Sequence, residues 1–314
     1  MIQGRFRSIL LIAICATLMP AFAAEAPAWQ DEFAATMHAA WKDGEPMPQI
    51  SRAHAEATLA DAYAAQRTFV ALALGDEAIG GFKAAIVGVE AQTALGIDGP
   101  LFGVLPSSGV LYAKDNVTID LSADNQRMFE TEIGYIFGQG VGEPIPDVAA
   151  LKKHIKSVAP VLEVPGGASQ NEAPVTAPDL VARNINSKAI VVGSRLEPQA
   201  VDVDAIEITL TANGQVVNTA RGGDAAGGQW ETLLKTVNAI LANGYKIEAG
   251  QIISNGALGK IVGAEPGLYC ANYTGFGEIC VKVVAEAPAP EAVPAEAPAA
   301  AETPAPEAAT PAAE

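Results

Sequence analysis

The sequence predicts an α+β fold, in which an N-terminal helical part precedes a mixed or antiparallel β-sheet that curls on itself. Two observations predict this order. Residues 31–43 and 58–73 have helical patterns, and the second begins with Thr58 followed by Asp61, which has the form of a capping box. After residue 109, most segments have the β-branched and aromatic composition of strands. Helices followed by a run of strands are typical of α+β domains.

Turn residues divide the strand-rich part. Asn213-Gly214 is a strong hairpin signal, and residues 267–283 predict a hairpin that turns near 274–277. A strand-like run also starts at Phe82. The strand candidates are 109–113, 117–121, 128–137, 158–164, 188–193, 204–211, 214–219 and 267–283, and further helices are predicted at about 147–155, 177–182 and 228–242.

The first 24 residues have the pattern of a secretory signal peptide. Arg5 and Arg7 supply its positive start, residues 9–19 are apolar, and residues 20–24 offer a small-residue cleavage site. The apolar stretch is too short for a membrane span, although an uncleaved anchor is the alternative. The pattern predicts a periplasmic or secreted protein that has no membrane partner once the signal is removed.

The other end is a predicted disordered, acidic tail. Residues 285–314 are almost entirely Ala, Pro and Glu, and such a segment cannot bury enough apolar surface to offset its ordering entropy. Between the two ends we predict a helical part at 25–84 and a β-rich core at 85–284. The formal net charge of −17 and the lack of a basic stripe disfavour a nucleic-acid partner.

The strand at 128–137 carries two glutamates inside an apolar run. Glu130 and Glu132 are two residues apart, so in a strand they point to the same face. Two like charges among hydrophobic residues are costly unless a cation neutralises them. Glu163 lies in a second apolar strand candidate, and three carboxylates are a ligand set for a hard divalent ion such as Mg²⁺ or Mn²⁺. The alternative is the solvent face of an edge strand.

Two cysteines remain after the signal segment. Cys270 and Cys280 are equally distant from Gly275, so they can face each other across the predicted hairpin. A disulfide is plausible in an oxidising compartment, whereas a register change of one residue would separate the two side chains. The histidines show no zinc-type spacing.

Several strings, in matching order and spacing over roughly residues 45–284, resemble the 2-keto-4-pentenoate hydratase branch of the fumarylacetoacetate hydrolase superfamily. They are DAYAAQ at 61–66, GFK at 81–83, LGIDGPLFG at 95–103, ETE at 130–132, LEV at 162–164 and SNGALG at 254–259. The resemblance implies a fumarylacetoacetate hydrolase-like rolled sheet as the catalytic core. It also implies Mg²⁺ or Mn²⁺ on Glu130, Glu132 and Glu163, and a homo-oligomer.

The resemblance implies an activity as well. Family members add water to a 2-hydroxy-2,4-dienoate and give a 4-hydroxy-2-keto acid, so a small 2-keto or dienol acid is the expected substrate. Lys83 stands at the position of the family's catalytic lysine, and such a lysine can move protons if burial and the cation lower its pKa. Its alternative is a surface lysine at a strand start.

Other residues match the family's site positions less specifically. Asp98 matches a family acid thought to assist proton transfer, but its turn sequence explains it equally well. The loop at Gly256 and Ala257 can offer backbone N–H groups to a substrate carboxylate. Arg183-Asn184 stands where the family has Asp-Asn, so Arg183 is either a partner for an extra substrate carboxylate or a surface charge.

The chain also departs from the family pattern. Residues 84–88 lack the hydroxyl side chains that usually follow the lysine, and Pro165-Gly166-Gly167 replaces the acid that usually follows the third carboxylate. These departures leave two alternatives to a hydratase. One is an exported, non-catalytic binding or scaffold homologue, and the other is a related decarboxylase or carbon–carbon bond hydrolase.

Overall fold

The computed structural model of the protein describes residues 28–122, 127–166 and 175–285. The predicted signal peptide at 1–24 and the predicted tail beyond residue 285 lie outside these residues. The described helices are α1 (Trp29–Lys42), α2 (Ile50–Ala53), α3 (Leu59–Leu74), α4 (Val89–Leu95), α5 (Val148–Lys152), α6 (Ala177–Ala182) and α7 (Gln229–Ala242).

The described strands form two sheets. They are β1 (Ile79–Ala85), β2 (Leu101–Pro106), β3 (Val110–Tyr112), β4 (Thr118–Asp120), β5 (Met128–Phe137), β6 (Ile155–Val164), β7 (Ala189–Val192), β8 (Glu207–Ala212), β9 (Gln215–Arg221), β10 (Ile252–Ser254), β11 (Leu258–Gly263), β12 (Gly267–Tyr273) and β13 (Gly277–Val284). An eight-stranded sheet has the order β2-β1-β10-β5-β6-β7-β3, with β11 also paired to β5. A five-stranded sheet has the order β4-β13-β12-β8-β9. Each sheet mixes antiparallel with parallel pairs, such as β1 with β10 and β13 with β4, so the predicted α+β class with a mixed sheet is confirmed.

The N-terminal helices pack on the larger sheet. The capping box of α3 forms as predicted, because Thr58 Oγ accepts the Asp61 N–H at 3.2 Å and the Asp61 carboxylate accepts the Thr58 N–H at 3.0 Å. Further along α3, Tyr63 stacks on Phe102 of β2 with ring centroids 4.6 Å apart, and its hydroxyl oxygen accepts the Phe102 N–H. One hydrophobic core therefore includes residues of both the helical part and the sheets. The border predicted at residues 84–85 falls inside β1.

The strands β5 and β6 lie in the middle of the larger sheet. β5 pairs with β10 and β11 on one side and with β6 on the other, so Glu130 and Glu132 do not lie on an edge strand. The register sets Glu130 directly opposite Glu163. The alternative of a solvent-facing edge is therefore wrong, and three carboxylates from two central strands meet at one place.

The structure confirms two predicted hairpins and shortens one predicted helix. The hairpin signal at Asn213-Gly214 is confirmed, with positive φ angles of 50° and 79° at the turn between β8 and β9. The predicted hairpin at 267–283 is β12 with β13. The helix predicted to reach residue 155 ends at Lys152, because β6 starts at Ile155. In the described part of the chain, no helix is both long and apolar enough to cross a lipid bilayer.

Candidate metal centre and active site

Three glutamates form a carboxylate triad, Glu130, Glu132 and Glu163. Glu130 and Glu132 share one face of β5, and Glu163 stands opposite Glu130 on β6. One carboxylate oxygen from each residue lies within 4.8 Å of the others. Two adjacent strands thus build the triad without any contribution from a flexible loop.

The triad is withdrawn from water. Glu132 and Glu163 are fully buried, and Glu130 is half-buried. Burial raises the pKa of Glu130 to about 7, and the neighbouring Glu163 charge adds to the effect. Burial likewise raises the pKa of Glu163 to about 8, and it raises that of Glu132. A cation at this place would favour the charged form of all three groups.

Two buried carboxylate oxygens of the triad have no hydrogen-bond donor. Glu132 Oε2 accepts the Ser254 hydroxyl and the Gly256 N–H at 3.0 Å, and Glu163 Oε1 lies 2.5 Å from Lys83 Nζ. Glu132 Oε1 and Glu163 Oε2 are buried and accept no hydrogen bond from any described residue. Buried acceptors without donors are costly. Since hard divalent ions take carboxylate oxygens as ligands, the residues present fit such an ion.

Lys83 is the fourth charged group at the triad. It lies on β1, is 3 % exposed, and sits beside Ser254 across the parallel β1–β10 pair. Burial alone would lower its pKa, but the carboxylates of Glu163, Glu130 and Glu132 outweigh burial and raise it. Lys83 is therefore held as an ammonium group against Glu163. The alternative of a surface lysine is wrong.

Lys83 and Glu130 are part of the wall of a cavity of about 390 Å³. The rest of its wall comes mainly from the segment after β1, from α6 and the loop after it, and from β11. Ala257 is part of this wall, as is Asn186, which sequence reasoning did not single out. The cavity gives a small molecule access to the triad from one side.

Two other predicted site residues have different surroundings. Asp98 is exposed, lies in the turn between α4 and β2, and is not part of the cavity wall. Gly256 has a φ of 93°, and a Cβ there would lie 2.4 Å from Val87 Cγ1. Its N–H is directed to Glu132 rather than to the cavity. Gly256 thus supports the triad and allows the segment after β1 to approach closely.

Arg183 and Asn184 lie beside the cavity without lining it. Arg183 is 2 % exposed, so it is no surface charge, and its Nε donates to the Asp179 carbonyl oxygen at 3.2 Å. Asn184 bonds the Val104 backbone twice, accepting its N–H at 2.7 Å and donating to its carbonyl oxygen at 2.9 Å. Asn184 thereby holds the segment after α6 against β2, whereas the Arg183 bond returns to α6 itself.

Two residues that hold the triad in place were not assigned a role from the sequence. Ser254 donates to Glu132, and its only sequence signal is its place in the SNGALG string. The Tyr273 hydroxyl accepts the Glu132 N–H at 3.2 Å and donates to the Val161 carbonyl oxygen at 2.5 Å. Tyr273 belongs to β12, so the smaller sheet braces the strands of the triad. No local pattern could have revealed this contact.

Cys270 and Cys280 are joined by a disulfide. They are directly opposite each other on β12 and β13. The pair lies near Glu278, but paired cysteines offer no thiolate to a metal. Within the described residues, the triad is therefore the better candidate for an ion.

The fold and the site together define a protein with a buried carboxylate triad, suited to a divalent cation, in a rolled mixed sheet. The chain belongs to the fumarylacetoacetate (FAA) hydrolase C-terminal family, whose profile matches residues 83–284. The family prediction is confirmed.

Known proteins agree with this assignment. The chain is 28 % identical over 259 residues to 2-keto-4-pentenoate hydratase of Paraburkholderia xenovorans, covering 81 % of this chain and 94 % of that protein. It is 27 % identical over 239 residues to 2-hydroxyhexa-2,4-dienoate hydratase of Comamonas testosteroni, covering 74 % and 88 %. These relatives confirm the predicted hydratase branch.

The fold also matches a solved structure, that of 4-oxalocrotonate decarboxylase from Pseudomonas putida G7 in complex with magnesium and adipate. The TM-score is 0.75 at 21 % identity, over 82 % of this chain and 97 % of the other. At this identity the match bears on the fold alone. It confirms the fumarylacetoacetate hydrolase-like fold that the sequence predicts.

Proposed function

We propose that the protein is a divalent-metal-dependent hydratase that adds water to a 2-hydroxy-2,4-dienoate, the enol form of a 2-keto-4-enoate. One observation carries the proposal: the carboxylate triad and Lys83 meet beside a cavity that a small acid can enter, and Lys83 and Glu130 are part of its wall. The curated relatives named as hydratases support the reaction class.

Glu130, Glu132 and Glu163 are the residues that would hold the ion, and Mg²⁺ or Mn²⁺ suits their oxygen donors. When bound, such an ion orients a 2-keto acid and stabilises negative charge on its enol oxygen. The solved structures of 4-oxalocrotonate decarboxylase, one with magnesium and one with calcium, support a divalent cation at this site.

Lys83 is the group that we assign to proton transfer. Water addition needs a proton on one carbon of the diene and hydroxide on another. Lys83 holds a proton at Nζ, next to the triad and in the cavity wall, so it can deliver that proton to substrate carbon and recover one from water. Asp98 is exposed in its turn and is not part of the cavity wall, so this scheme gives it no role.

The metal proposal is tested by elemental analysis of the purified protein and by titration with Mg²⁺ and Mn²⁺. We expect Glu130→Gln to weaken metal binding by more than the roughly 10–100-fold that loss of an outer contact costs. The matched control is Glu207→Gln, an exposed strand glutamate outside the cavity wall. Equal affinity in the two variants would contradict the assignment of the triad.

The reaction is tested by the products formed from a 2-hydroxy-2,4-dienoate. A hydratase gives a 4-hydroxy-2-keto acid, a decarboxylase releases CO₂, and a carbon–carbon bond hydrolase gives two fragments. We expect Lys83→Met to lower kcat by about 10²–10⁴-fold, the range for loss of a general acid or base. Lys282→Met, an exposed strand lysine, is the control. Turnover that survives Lys83→Met unchanged would refute the role of Lys83.

We further propose that the protein acts outside the cytoplasm. The signal-peptide pattern of residues 1–24 supports export, and a disulfide in the mature chain is consistent with an oxidising compartment. Cell fractionation combined with mass measurement of the N-terminus tests this. Recovery of the full-length chain in the cytoplasm would contradict it.

The proposed homo-oligomer is tested separately by light scattering of the purified protein. The mass of a single chain at micromolar concentration would contradict that prediction.

A further inference from the structure

A second cavity, of about 380 Å³, shares a wall segment with the cavity beside the triad. The shared segment is residues 184–189: Ile185 and Asn186 line the cavity beside the triad, whereas Asn184 and Ser187 line the second one. The rest of the second wall comes from the end of α1, the last turns of α3, and β2 with the segment after it. Neither Lys83 nor a glutamate of the triad is part of that wall, so the proposed reaction does not use this helix-side cavity.

Apolar side chains form most of the described wall of the helix-side cavity. The aliphatic members are Val70, Ala73, Leu74, Val104 and Pro106. The aromatic members are Trp41 and Phe69, with ring centroids 6.1 Å apart and ring planes at 83°. Trp41 is 48 % exposed, so a further ring can pack against it.

The polar and charged members of this wall favour an uncharged occupant. The Ser187 hydroxyl donates to the Asn184 carbonyl oxygen at 2.8 Å, and the Asn184 carboxamide is bonded to the β2 backbone through both its oxygen and its nitrogen. Glu77 and Lys188 are exposed to water. The Glu77 carboxylate accepts the Ser108 N–H at 2.6 Å, and Lys188 likewise has a partner within the chain. A charged occupant would give up water for groups that are already paired, which is unfavourable.

The shared segment has a strained backbone. Asn184, Ile185 and Asn186 have consecutive φ angles of 55°, 46° and 54°. Residues other than glycine enter the left-handed region mostly singly, and a β-branched residue there is an outlier. Ile86, with a φ of 58°, is the other β-branched residue with positive φ in the described ranges, and it also lines the cavity beside the triad. Strained residues of this kind cluster at ligand sites, where the surrounding structure enforces them.

Strand β2 holds this strained segment in place. Gly103 allows the close approach, because a Cβ there would lie 2.6 Å from the Asn184 carbonyl oxygen. Asn184 is fixed to the backbone of Val104, and both residues line the helix-side cavity. A molecule in that cavity would therefore pack against the residues that hold the segment, and the segment forms part of the wall beside the triad.

We infer that the helix-side cavity binds an uncharged aromatic molecule of one or two rings, and that this occupant tightens binding of the 2-keto acid by holding the shared segment in its strained conformation. The coupling rests on the proposed function, whereas the site itself does not. An apolar cavity of about 150 Å³ holds benzene, so this larger cavity has room for such a molecule. Conformational freedom that one ligand removes is not lost again when the other binds.

The ligand class is tested with two probes, fluorobenzene and 4-fluorobenzoate, which share one ring and differ in charge. Fluorine NMR of the magnesium-loaded full chain measures both affinities and needs no variant. We expect fluorobenzene to bind at least about tenfold more tightly than 4-fluorobenzoate, as is usual for discrimination in an apolar pocket.

The location is tested by filling the cavity. Ala73 is half-buried on α3 and lines the cavity, so Ala73→Phe places a ring where the probe would bind. The matched control is Ala71→Phe, which changes an exposed alanine on the same helix and outside the wall. We expect Ala73→Phe to abolish fluorobenzene binding and Ala71→Phe to leave it unchanged.

The coupling is tested by calorimetric titration of the magnesium-loaded protein with 2-oxopentanoate, with and without saturating fluorobenzene. We expect binding about fivefold tighter or more with fluorobenzene present, and saturating 2-oxopentanoate should tighten fluorobenzene binding by the same factor. Fluorobenzene should have no such effect on Ala73→Phe.

Each outcome bears on one part of the inference. Equal binding of the two probes, or equal binding of fluorobenzene by the two variants, would overturn the site. Unchanged affinity for 2-oxopentanoate would overturn the coupling and leave the site and the hydratase proposal standing. Binding of fluorobenzene but of no 2-keto acid would overturn the proposed function and the coupling with it. If fluorobenzene does not bind and Ala73→Phe alone lowers the mass in light scattering, a second copy of the chain occupies this cavity and the inference is wrong.

Discussion

At the scale of single residues, Glu132 depends on donors that fix which of its oxygens remains open. The Ser254 hydroxyl and the Gly256 N–H both occupy Oε2, so Oε1 is the oxygen left for a cation. Outer contacts of this kind orient a metal ligand, and their loss typically costs 10–100-fold in affinity.

The first prediction is that Ser254→Ala weakens Mg²⁺ binding by about 10–100-fold while the protein stays folded. Without the hydroxyl, the carboxylate of Glu132 loses one of two donors and can rotate. Calorimetric titration measures the affinity, and Ser194→Ala, which changes an exposed serine outside the cavity wall, is the control. Unchanged affinity would mean that Gly256 alone orients the carboxylate.

The second prediction concerns the strain at Ile86. Asparagine tolerates positive φ far better than a β-branched residue, so Ile86→Asn relieves strain while it loses apolar contacts. Ile79→Asn at the start of β1 changes an isoleucine that is also half-buried but has no positive φ, so it loses apolar contacts without relieving strain. We expect Ile86→Asn to cost about 1–3 kcal/mol less unfolding free energy than Ile79→Asn. Urea denaturation measures both, and equal losses would argue against strain.

At the scale of secondary-structure elements, the hairpin β12–β13 combines two stabilising features. Its disulfide joins directly opposite residues, and its Tyr273 reaches the strands of the triad. A cross-link stabilises mainly by restricting the unfolded chain, typically by about 2–4 kcal/mol.

The third prediction is that the double variant Cys270→Ser with Cys280→Ser loses about 2–4 kcal/mol of unfolding free energy. Reduction of the unaltered protein should lower its stability by a similar amount, since it removes the same cross-link. Denaturant unfolding with and without reductant measures both effects. Reductant should not change the unfolding free energy of the double variant. A decrease in that variant would show that the reductant acts on something other than this disulfide.

The elements also show what the sequence could and could not predict. β5 matches its predicted range of 128–137, because its aromatic and β-branched residues form a continuous apolar run around the two glutamates. β10, of three residues, and β11, of six, flank the glycine loop at 256 and were missed. Their strand character depends on pairing with β1 and β5, which are distant in the sequence.

The same distinction applies to the candidate site. The shared face of Glu130 and Glu132 follows from their spacing, but the register that sets Glu163 opposite Glu130 depends on strand pairing. The resemblance to a family supplied Lys83, whose ion pair with Glu163 no local pattern reveals. Only the folded chain shows that the Gly256 N–H serves Glu132 and that Arg183 faces Asp179.

At the scale of the whole molecule, folding stability is coupled to the protonation of the triad. The folded pKa values of Glu130, about 7, and Glu163, about 8, lie above the ordinary value of 4.5 because burial favours the neutral form. An acid with a raised folded pKa contributes stability that is fully present below its unfolded pKa. That contribution is lost as pH rises through the folded pKa. Lys83 itself keeps its proton throughout this window, because the carboxylates raise its pKa.

The fourth prediction follows from this coupling. The melting temperature of metal-free protein should fall as pH rises from about 5 to about 9, because Glu130 and Glu163 must then ionise beside Glu132 without a metal ion. Mg²⁺ should raise the melting temperature little at pH 5 and progressively more toward pH 9, since the ion binds the deprotonated ligands. Thermal unfolding with Mg²⁺ or with a chelator, over this range, measures both curves.

The Glu163→Gln variant, which lacks one of the titrating groups, should show a shallower pH dependence of the melting temperature in the chelator series. A magnesium effect that is equal at pH 5 and pH 9 would show that ion binding is not linked to protons on the triad, and would separate the ion's site from these three carboxylates.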